Sequence, residues 1–577
     1  MSSSLTTSPW SLPPSRPDLV AEIQEEMGYS RAFAAVLANR YGDSYRRVEQ
    51  SQSSDLHEPV QLRDLETAVE RIAKALSDGE KIFIHGDFDV DGLSSSALLY
   101  RGLKQLSDSL GGDNQIKVEV GNRRKGHGLD PLISSRLIES NYDILITTDC
   151  GIKAGEEVSH LQSNDVDVII TDHHEPGSKL PPALATIDPK RKDSNYPNKH
   201  LSGSGISFQL IRALNRKYGS DEIEGTISQL AMLGTVTDMV PLVNNGEQEN
   251  KLIVKKGLEK LNDNPVAGLK ALAEKSGLLG EEITTRSVSF RLAPKLNSAN
   301  RVGDPKVSFL LLTTNNPKRA DYLAEILLDY DRDRSTLQSK IYRSAREQIK
   351  SREVSPEKEG IVYATGEEWN PGILGLVASK LCNRYHLPAA IITCQGSSCK
   401  GSIRSIEGVN IVNGLEHCSN LLKGFGGHEM AGGFQIHRNN IDKFVDRLSS
   451  WIIDQLEGTE QAEQDLELDA ELQPEELNLA LLKEQKLLEP FGVGNPKPKY
   501  LLRDAPINSF KTVGKKDDHL KLDIANTESC CDCIGFGMAK HLERGLSGAG
   551  KVDLIFKISR DTWQGGELQL ELEDLFF

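Results

Sequence analysis

The chain has 577 residues, 38% of them hydrophobic, so it can bury ordinary cores but is too long for a single one, and several domains are expected. A formal net charge of −16 argues against broad non-specific adhesion to nucleic acid, which depends on Lys and Arg displacing counterions, although local basic grooves remain compatible with it. No stretch is apolar enough to cross a bilayer, and the eight cysteines form no paired CxxC arrangement, so neither a membrane anchor nor a zinc ribbon nor a secreted disulfide framework is expected, and a cytoplasmic setting fits.

The start, MSSSLTTSPWSLPPSRPDLV, is polar and Pro-rich and reads as a disordered lead; residues 1–75 form an N-terminal extension with a helical stretch from Leu19 to Asn39. From Lys81 to Asp188, β-rich runs alternate with helical patterns, and KIFIH, YDILITT and VDVIIT are candidate buried parallel strands. This predicts an α/β domain over 76–318. Between Ala320 and about Lys350 the absence of Gly and Pro and the dense charge predict one long connecting helix, placed at 319–354. A second, smaller α/β domain is expected over 355–460, with GIVYAT, AAIITC, the Gly-rich GFGGHEMAGGF and a helix near Ile452. An acidic stretch from Glu457 to Glu476 leads into 461–577, where HLKLDI, VDLIFKI and LQLELEDLFF predict a small β-barrel. The Cys530, Cys531 and Cys533 group, with no matching cluster elsewhere, reads as incidental core or strand thiols.

Chemistry gathers at the strand ends. HGDFDVDG places His85, Asp87, Asp89 and Asp91 in one turn after KIFI, and three alternating carboxylates there repel unless a cation joins them. An Asp-rich helix cap is the alternative, but capping needs only one such side chain. Asp149 ends the strand YDILI, His173 and His174 follow VDVII in the segment TDHH, and Asp238 lies in LGTVTDMVPL near the end of a helix. Because ligands of open parallel sheets collect at the carboxyl ends of strands, these residues should meet in space. His85, Asp89, Asp91, Asp149, His173 and Asp238 supply enough donors for two neighbouring divalent ions sharing a carboxylate, and an oxygen and imidazole set suits Mn²⁺ or Mg²⁺.

The ordered set HGDFDVDG, TTDCG, TDHH and VTDMVP resembles the DHH phosphoesterase superfamily. The resemblance implies one metal on His85, Asp89 and Asp149 and another on Asp91, Asp149, His173 and Asp238, with Asp149 as the bridge and Asp87 and His174 completing the catalytic set. FRLAPKLNSANRVGDP, with Arg291, Pro294, Asn297 and Arg301, is similar to the segment specific to RecJ exonucleases, and GSIRS and GGHEMAGGF resemble the DHH-associated domain. In the latter a Gly-rich turn holds substrate phosphate: Gly426 and Gly427 let backbone N–H groups approach it, while Arg404 and His428 can donate to its oxygens, the alternative being a plain turn between helix and strand. The tail from about Asp465, including LEPFGVGNPKP, resembles the OB-fold of that family. There are departures: the family's Asn-Arg segment ending in Gly-Tyr-Gly is here Asn122 to Gly128, with His127 for Tyr, so either Arg123 or Arg124 takes the substrate role. Asn370 stands for a usual His, and Asn300 for a common Gly.

The resemblance implies a 5′-to-3′ exonuclease specific for single-stranded DNA, acting in DNA repair and recombination. Two ions about 3.5–4 Å apart would activate water and polarise the phosphodiester. His174 is a candidate to assist the leaving 3′-oxygen, and Arg301, Arg404 and His428 to hold the 5′ end. It further implies single-stranded DNA as partner, with a helicase and a single-strand-binding protein as candidates, and a monomer without a membrane. A phosphodiesterase for short oligonucleotides or cyclic dinucleotides would share the metal chemistry. A non-catalytic replication scaffold would have lost ligands, yet every ligand position here is filled.

Overall fold

The apolar run after Lys81 forms a strand in the computed structural model: β1 (Ile82–Gly86) is buried at every position. The structure describes residues 10–48, 55–123, 128–219, 223–352, 354–457, 466–514, 516–524, 532–539, 551–560 and 568–576. The chain divides into two compact units, one of His57–Val240 with Glu249–Gln461, the other of Met1–Leu56, Pro241–Gln248 and Ala462–Phe577.

In the first unit β1 is joined by β2 (Ile116–Val120), β3 (Ile144–Thr148), β4 (Asp167–Thr171) and β5 (Ala185–Ile187) in a sheet of order β2-β1-β3-β4-β5. Every neighbouring pair is parallel. β1, β3 and β4 are the three strands legible as apolar runs. The two edges were less visible, because IKVEV alternates with charge and ATI is only three residues long. After β2 the chain crosses back over β1 to lay down β3, so strand order reverses between β1 and β3. Ligands of doubly wound sheets bind in the crevice at that reversal, outside the carboxyl ends. Helices α1 (Val90–Ser109), α2 (Gly203–Tyr218) and α3 (Glu224–Thr237) pack on one another beside it.

A short helix α4 (Ala293–Val302) precedes α5 (Pro317–Lys350), a 34-residue helix whose N-cap Asn316 accepts the Arg319 N–H. Its buried residues fall at helical spacing in two patches, Ala320, Leu323, Ala324 and Leu327, then Ile341, Ala345 and Ile349. The first half packs on α4 and its neighbours; the helix also meets β6 (Val362–Glu367) and α6 (Pro371–Tyr385). The second sheet runs β9-β10-β8-β7-β6, adding β7 (Ala389–Gln395), β8 (Ser398–Arg404), β9 (Leu422–His428) and β10 (Ala431–His437). The Gly-rich segment, read from sequence as a turn, forms the antiparallel hairpin β9–β10, with Gly426 opposite Gly433 and Gly427 opposite Gly432. Pairing of β10 with β8 on its other side draws the segment into the sheet. The cysteines also depart from expectation: Cys394 and Cys399 face each other across β7 and β8, their Cα atoms 4.1 Å apart, and are joined as a disulfide. Cys533 is buried, and Cys530 and Cys531 lie outside the described residues.

The second unit is built on β11 (Ala470–Leu472), β12 (Tyr500–Val513), β13 (His519–Ile524), β14 (Asp532–Gly535), β15 (Lys551–Arg560) and β16 (Leu568–Phe576). The order β12-β13-β14-β16-β15 closes by pairing β15 back to β12, making a five-stranded barrel, with β11 added in parallel to β12. Closure removes exposed strand edges. Helices Pro17–Met27 and Arg31–Tyr41 share the barrel's core, burying Ile23, Phe33 and Leu37 with Leu502, Leu522 and Phe556. The Arg40–Asp469 ion pair and the Asn39 hydrogen bond to the Asp469 carbonyl fasten the same contact. Among the described residues no helix is long and apolar enough to cross a membrane.

Candidate metal centre and the arginine cluster beside it

Four loops carry the acidic and histidine residues to the reversal point of the first sheet. At the end of β1, Asp89 caps α1, its Oδ1 accepting the Asp91 N–H at 2.9 Å and the Gly92 N–H at 3.1 Å. Asp91, in the first turn of α1 and 1% exposed, accepts the main-chain N–H groups of Gly203 at 2.7 Å and Ser204 at 2.9 Å. The first turn of α2 is thus aimed at Asp91, where a helix N-terminus favours negative charge. Asp149 ends β3 in the left-handed region, φ 60°, with its N–H on the Thr171 carbonyl. His173 follows β4, and Asp238 caps the C-terminus of α3.

These side chains converge as expected. Ligand atoms of Asp87, Asp89 and Asp149 lie within 4.8 Å of one another, as do those of Asp91, His173 and Asp238, and those of Asp149, His173 and His174. Asp149 and His173 each stand in two of the three groups, and of the two only the carboxylate, with its two oxygens, can serve two ions at once. His85 lies in none of them, and Asp87 completes the group in its stead. His85 is nevertheless buried with Nδ1 lacking a hydrogen-bond partner among the described residues.

The electrostatics call for a cation. Burial pushes the Asp149 carboxyl well above its ordinary value, and the charges of Asp91, Asp89 and Asp87 add to the effect. Burial likewise raises Asp91 to about 6 and Asp238 to about 8, with neighbouring carboxylates contributing to both. Burial, with His174 beside it, lowers His173 to about 3, which keeps its imidazole neutral, the form that ligates metals. His173 Nε2 sits 3.1 Å from Asp149 Oδ1 and 3.6 Å from Asp238 Oδ2 without making a hydrogen bond to either. Buried carboxylates that cannot all ionise, around an imidazole nitrogen with no proton partner, fit divalent ions bound by oxygen and nitrogen.

One residue that the sequence reading passed over stands beside this set. Asp172 is 1% exposed; Oδ1 accepts the N–H groups of His173 and His174 and meets His174 Nδ1 at 2.7 Å, while Oδ2 accepts the Ile152 N–H at 2.9 Å. Burial alone would raise Asp172, but the His174 hydrogen bond and charge overcome it and hold the carboxyl below its ordinary value. For His174 burial works downward and the Asp172 bond wins, raising it. Its place directly before the two histidines was the available signal.

Beside the acidic set lies a cluster of arginines. Arg301 donates to the Gly372 carbonyl in the first turn of α6 at 2.9 Å, and burial, together with the charges of Arg123, Arg334 and Arg404, lowers it to about 9. The Arg123 guanidinium stacks on the Phe88 ring, 4.3 Å from its centroid. Arg404 ends β8, and strand register places it in one row with Ala431 and His428. Gly426, Gly427 and His428 are exposed along β9. Arg124, the alternative to Arg123, lies outside the described residues. Half-buried guanidinium groups crowding one another make a site that gains by binding an anion.

Comparison with known proteins then decides the family. Residues 81–235 match the DHH family N-terminal domain, 358–454 the DHHA1 domain, and 468–574 the RecJ OB domain. The single-stranded-DNA-specific exonuclease RecJ of Bacillus subtilis is 32% identical over 572 residues, covering 98% of this chain and 70% of the relative. The chain belongs to the RecJ family. The RecJ exonuclease of Escherichia coli K12 is 29% identical, over 89% of this chain and 91% of its own. Among solved structures, Thermus thermophilus RecJ in complex with Mn²⁺ superimposes with a TM-score of 0.82 at 26% identity, covering 99% of this chain and 79% of that one. An exonuclease RecJ bound to manganese gives a TM-score of 0.60 at 30% identity, covering 70% of this chain and 98% of its own. The chain thus carries the DHH, DHHA1 and RecJ OB domains in that order.

Proposed function

We propose that this chain is a single-stranded-DNA-specific exonuclease that degrades strands from the 5′ end and releases 5′-mononucleotides, in DNA repair and recombination. The observation that carries the reading is the position of Asp149 within ligand distance of both Asp87 with Asp89 and His173 with His174, at the reversal point of the sheet. The RecJ relatives are named single-stranded-DNA-specific exonucleases, and Thermus thermophilus RecJ structures hold Mn²⁺ or Mg²⁺. Here Asp87, Asp89, Asp91, Asp149, His173 and Asp238, with His85 behind them, would hold two such ions, which supply Lewis-acid activation of water and neutralise phosphate charge.

The protein's own groups do the rest. Asp172 holds His174 by Nδ1, so that Nε2 is the atom that hands a proton to the departing 3′-oxygen. Arg123, Arg301, Arg404 and His428 hold the 5′-terminal phosphate, with Gly426 and Gly427 admitting it to the backbone. Single-strand preference is supported by the barrel, which exposes Phe510 and Phe536 and sets Lys511 opposite Lys521, a mix of stacking faces and cations suited to unpaired strands. A monomer in the cytoplasm, fed by a helicase and by single-strand-binding protein, completes the proposal. With Mn²⁺ present, 5′-labelled single strands should be shortened to mononucleotides while matching duplexes and dinucleotides are cut at least tenfold more slowly. Preference for dinucleotides would replace the reading with a small-molecule phosphodiesterase.

A further inference from the structure

Asn300 sits in α4 directly before Arg301 and is 6% exposed, yet both polar atoms of its side chain are engaged far along the chain. Its Nδ2 donates to the Phe88 carbonyl at 2.5 Å, inside the loop that carries Asp87 and Asp89. Its Oδ1 accepts the main-chain N–H of Arg123 at 3.1 Å. The Arg123 guanidinium then folds back over the Phe88 ring, 4.3 Å from its centroid. A closed bracket results: Phe88 main chain, Asn300 amide, Arg123 main chain, Arg123 side chain, Phe88 ring. Arg123 Nε is buried within it and has no hydrogen-bond partner among the described residues.

We propose that Asn300 is a positioning residue, whose amide holds Arg123 against the Asp87–Asp89 loop and so preorganises the guanidinium that grips the strand's phosphate. The inference rests on Arg123 being a strand contact. A side-chain amide serves both halves of the bracket, donating to a carbonyl with its nitrogen and accepting an N–H with its oxygen. Without it the chain around Arg123 loses its hydrogen-bonded tie to the metal loop, leaving the ring contact and the attraction of Asp89 and Asp87 to hold the guanidinium. The next residue extends the device, since Arg301 holds α6 through the Gly372 carbonyl. One turn of α4 thus ties the metal loop, the Arg123 loop and the second sheet's leading helix together.

The test is steady-state kinetics with Mn²⁺ on a 5′-phosphorylated single strand, comparing Asn300→Ala, Asn300→Asp, Arg123→Ala and the double variant Asn300→Ala/Arg123→Ala. Losing both hydrogen bonds of the bracket, the one to the Phe88 carbonyl and the one from the Arg123 main-chain N–H, should raise KM about tenfold in Asn300→Ala, with kcat changed less than about twofold. Asn300→Asp keeps the acceptor and loses the donor, so its KM should fall between those of Asn300→Ala and the parent. The double variant should be no worse than Arg123→Ala, because Asn300 acts through that arginine. Multiplying KM effects in the double variant, or a fall in kcat at constant KM, would overturn the assignment. So would an unchanged KM in Arg123→Ala, an outcome that leaves the metal-centre reading intact.

Discussion

Gly203→Ala probes the metal centre without altering any proposed ligand. A Cβ on Gly203 would lie 2.7 Å from Asp149 Cβ and 3.0 Å from both its Cα and its Oδ1, where 3.4 Å begins ordinary contact. The shortfall against Cβ is 3.4 − 2.7 = 0.7 Å. Little can yield, because Asp149 is tied by its N–H to the Thr171 carbonyl and Gly203 donates its own N–H to Asp91 at 2.7 Å. The same shift therefore moves Asp149 and loosens Asp91. Overpacking costs about 1–3 kcal/mol, and replacing a helical glycine returns about 0.5–1 kcal/mol, so the net loss of stability is small, a few degrees in Tm. Displacement of a reacting constellation by the better part of an ångström costs on the order of a hundredfold in rate. The expected result is a fall in kcat/KM of about that size, read by mononucleotide release under Mn²⁺, with a Tm within a few degrees of the parent. A variant with full activity would refute the close approach of α2 to Asp149 and the packing argument built on it.

Chelation exposes the repulsion stored in the site. The folded-state values of Asp238 (about 8) and Asp91 (about 6) lie above the ordinary carboxyl value, so their contribution to stability is present in acid and lost as pH rises through those values. The Tm of chelated protein should therefore fall between about pH 4 and pH 8 relative to Mn²⁺-loaded protein, and a flat difference would count against the burial assigned to these groups. Asp172→Asn removes the charge that holds His174 and should lower kcat by about a hundredfold at nearly constant KM; a pure KM effect would remove His174 from proton transfer. Arg404→Ala should weaken single-strand binding and reduce the slope of log affinity against log salt by about 0.7, the value for one phosphate contact on a single strand. An unchanged slope would take Arg404 out of the strand site.

The legible parts of the protein are those written in contiguous residues. β1, β3 and β4 are apolar runs ending in Asp or His, and buried parallel strands impose that pattern locally. α5 is visible because nothing interrupts its helical periodicity over 34 residues. Contacts made by main chain or by distant partners were not legible. The Gly203 and Ser204 N–H groups reach Asp91 across more than a hundred positions, and no side-chain pattern marks a backbone donor. Asn300 shows in the sequence only as a departure from a common Gly, and its role emerges when tertiary packing puts the Phe88 carbonyl and the Arg123 N–H on either side of it. The disulfide was missed for a similar reason: Cys394 and Cys399 are not spaced as a redox motif, and only the β7–β8 register sets them face to face. The Gly-rich segment looked like a turn because glycine disfavours strands, an intrinsic preference that pairing with β8 overrides.

The central claim is that Asp149 is shared between two ions. Its most direct measurement is Mn²⁺ binding, followed by titration calorimetry, together with single-strand hydrolysis in Asp149→Ala. The expected result is loss of two-site Mn²⁺ binding and of mononucleotide release in a protein that keeps its cooperative unfolding. Two bound ions and undiminished hydrolysis in that variant would contradict the account.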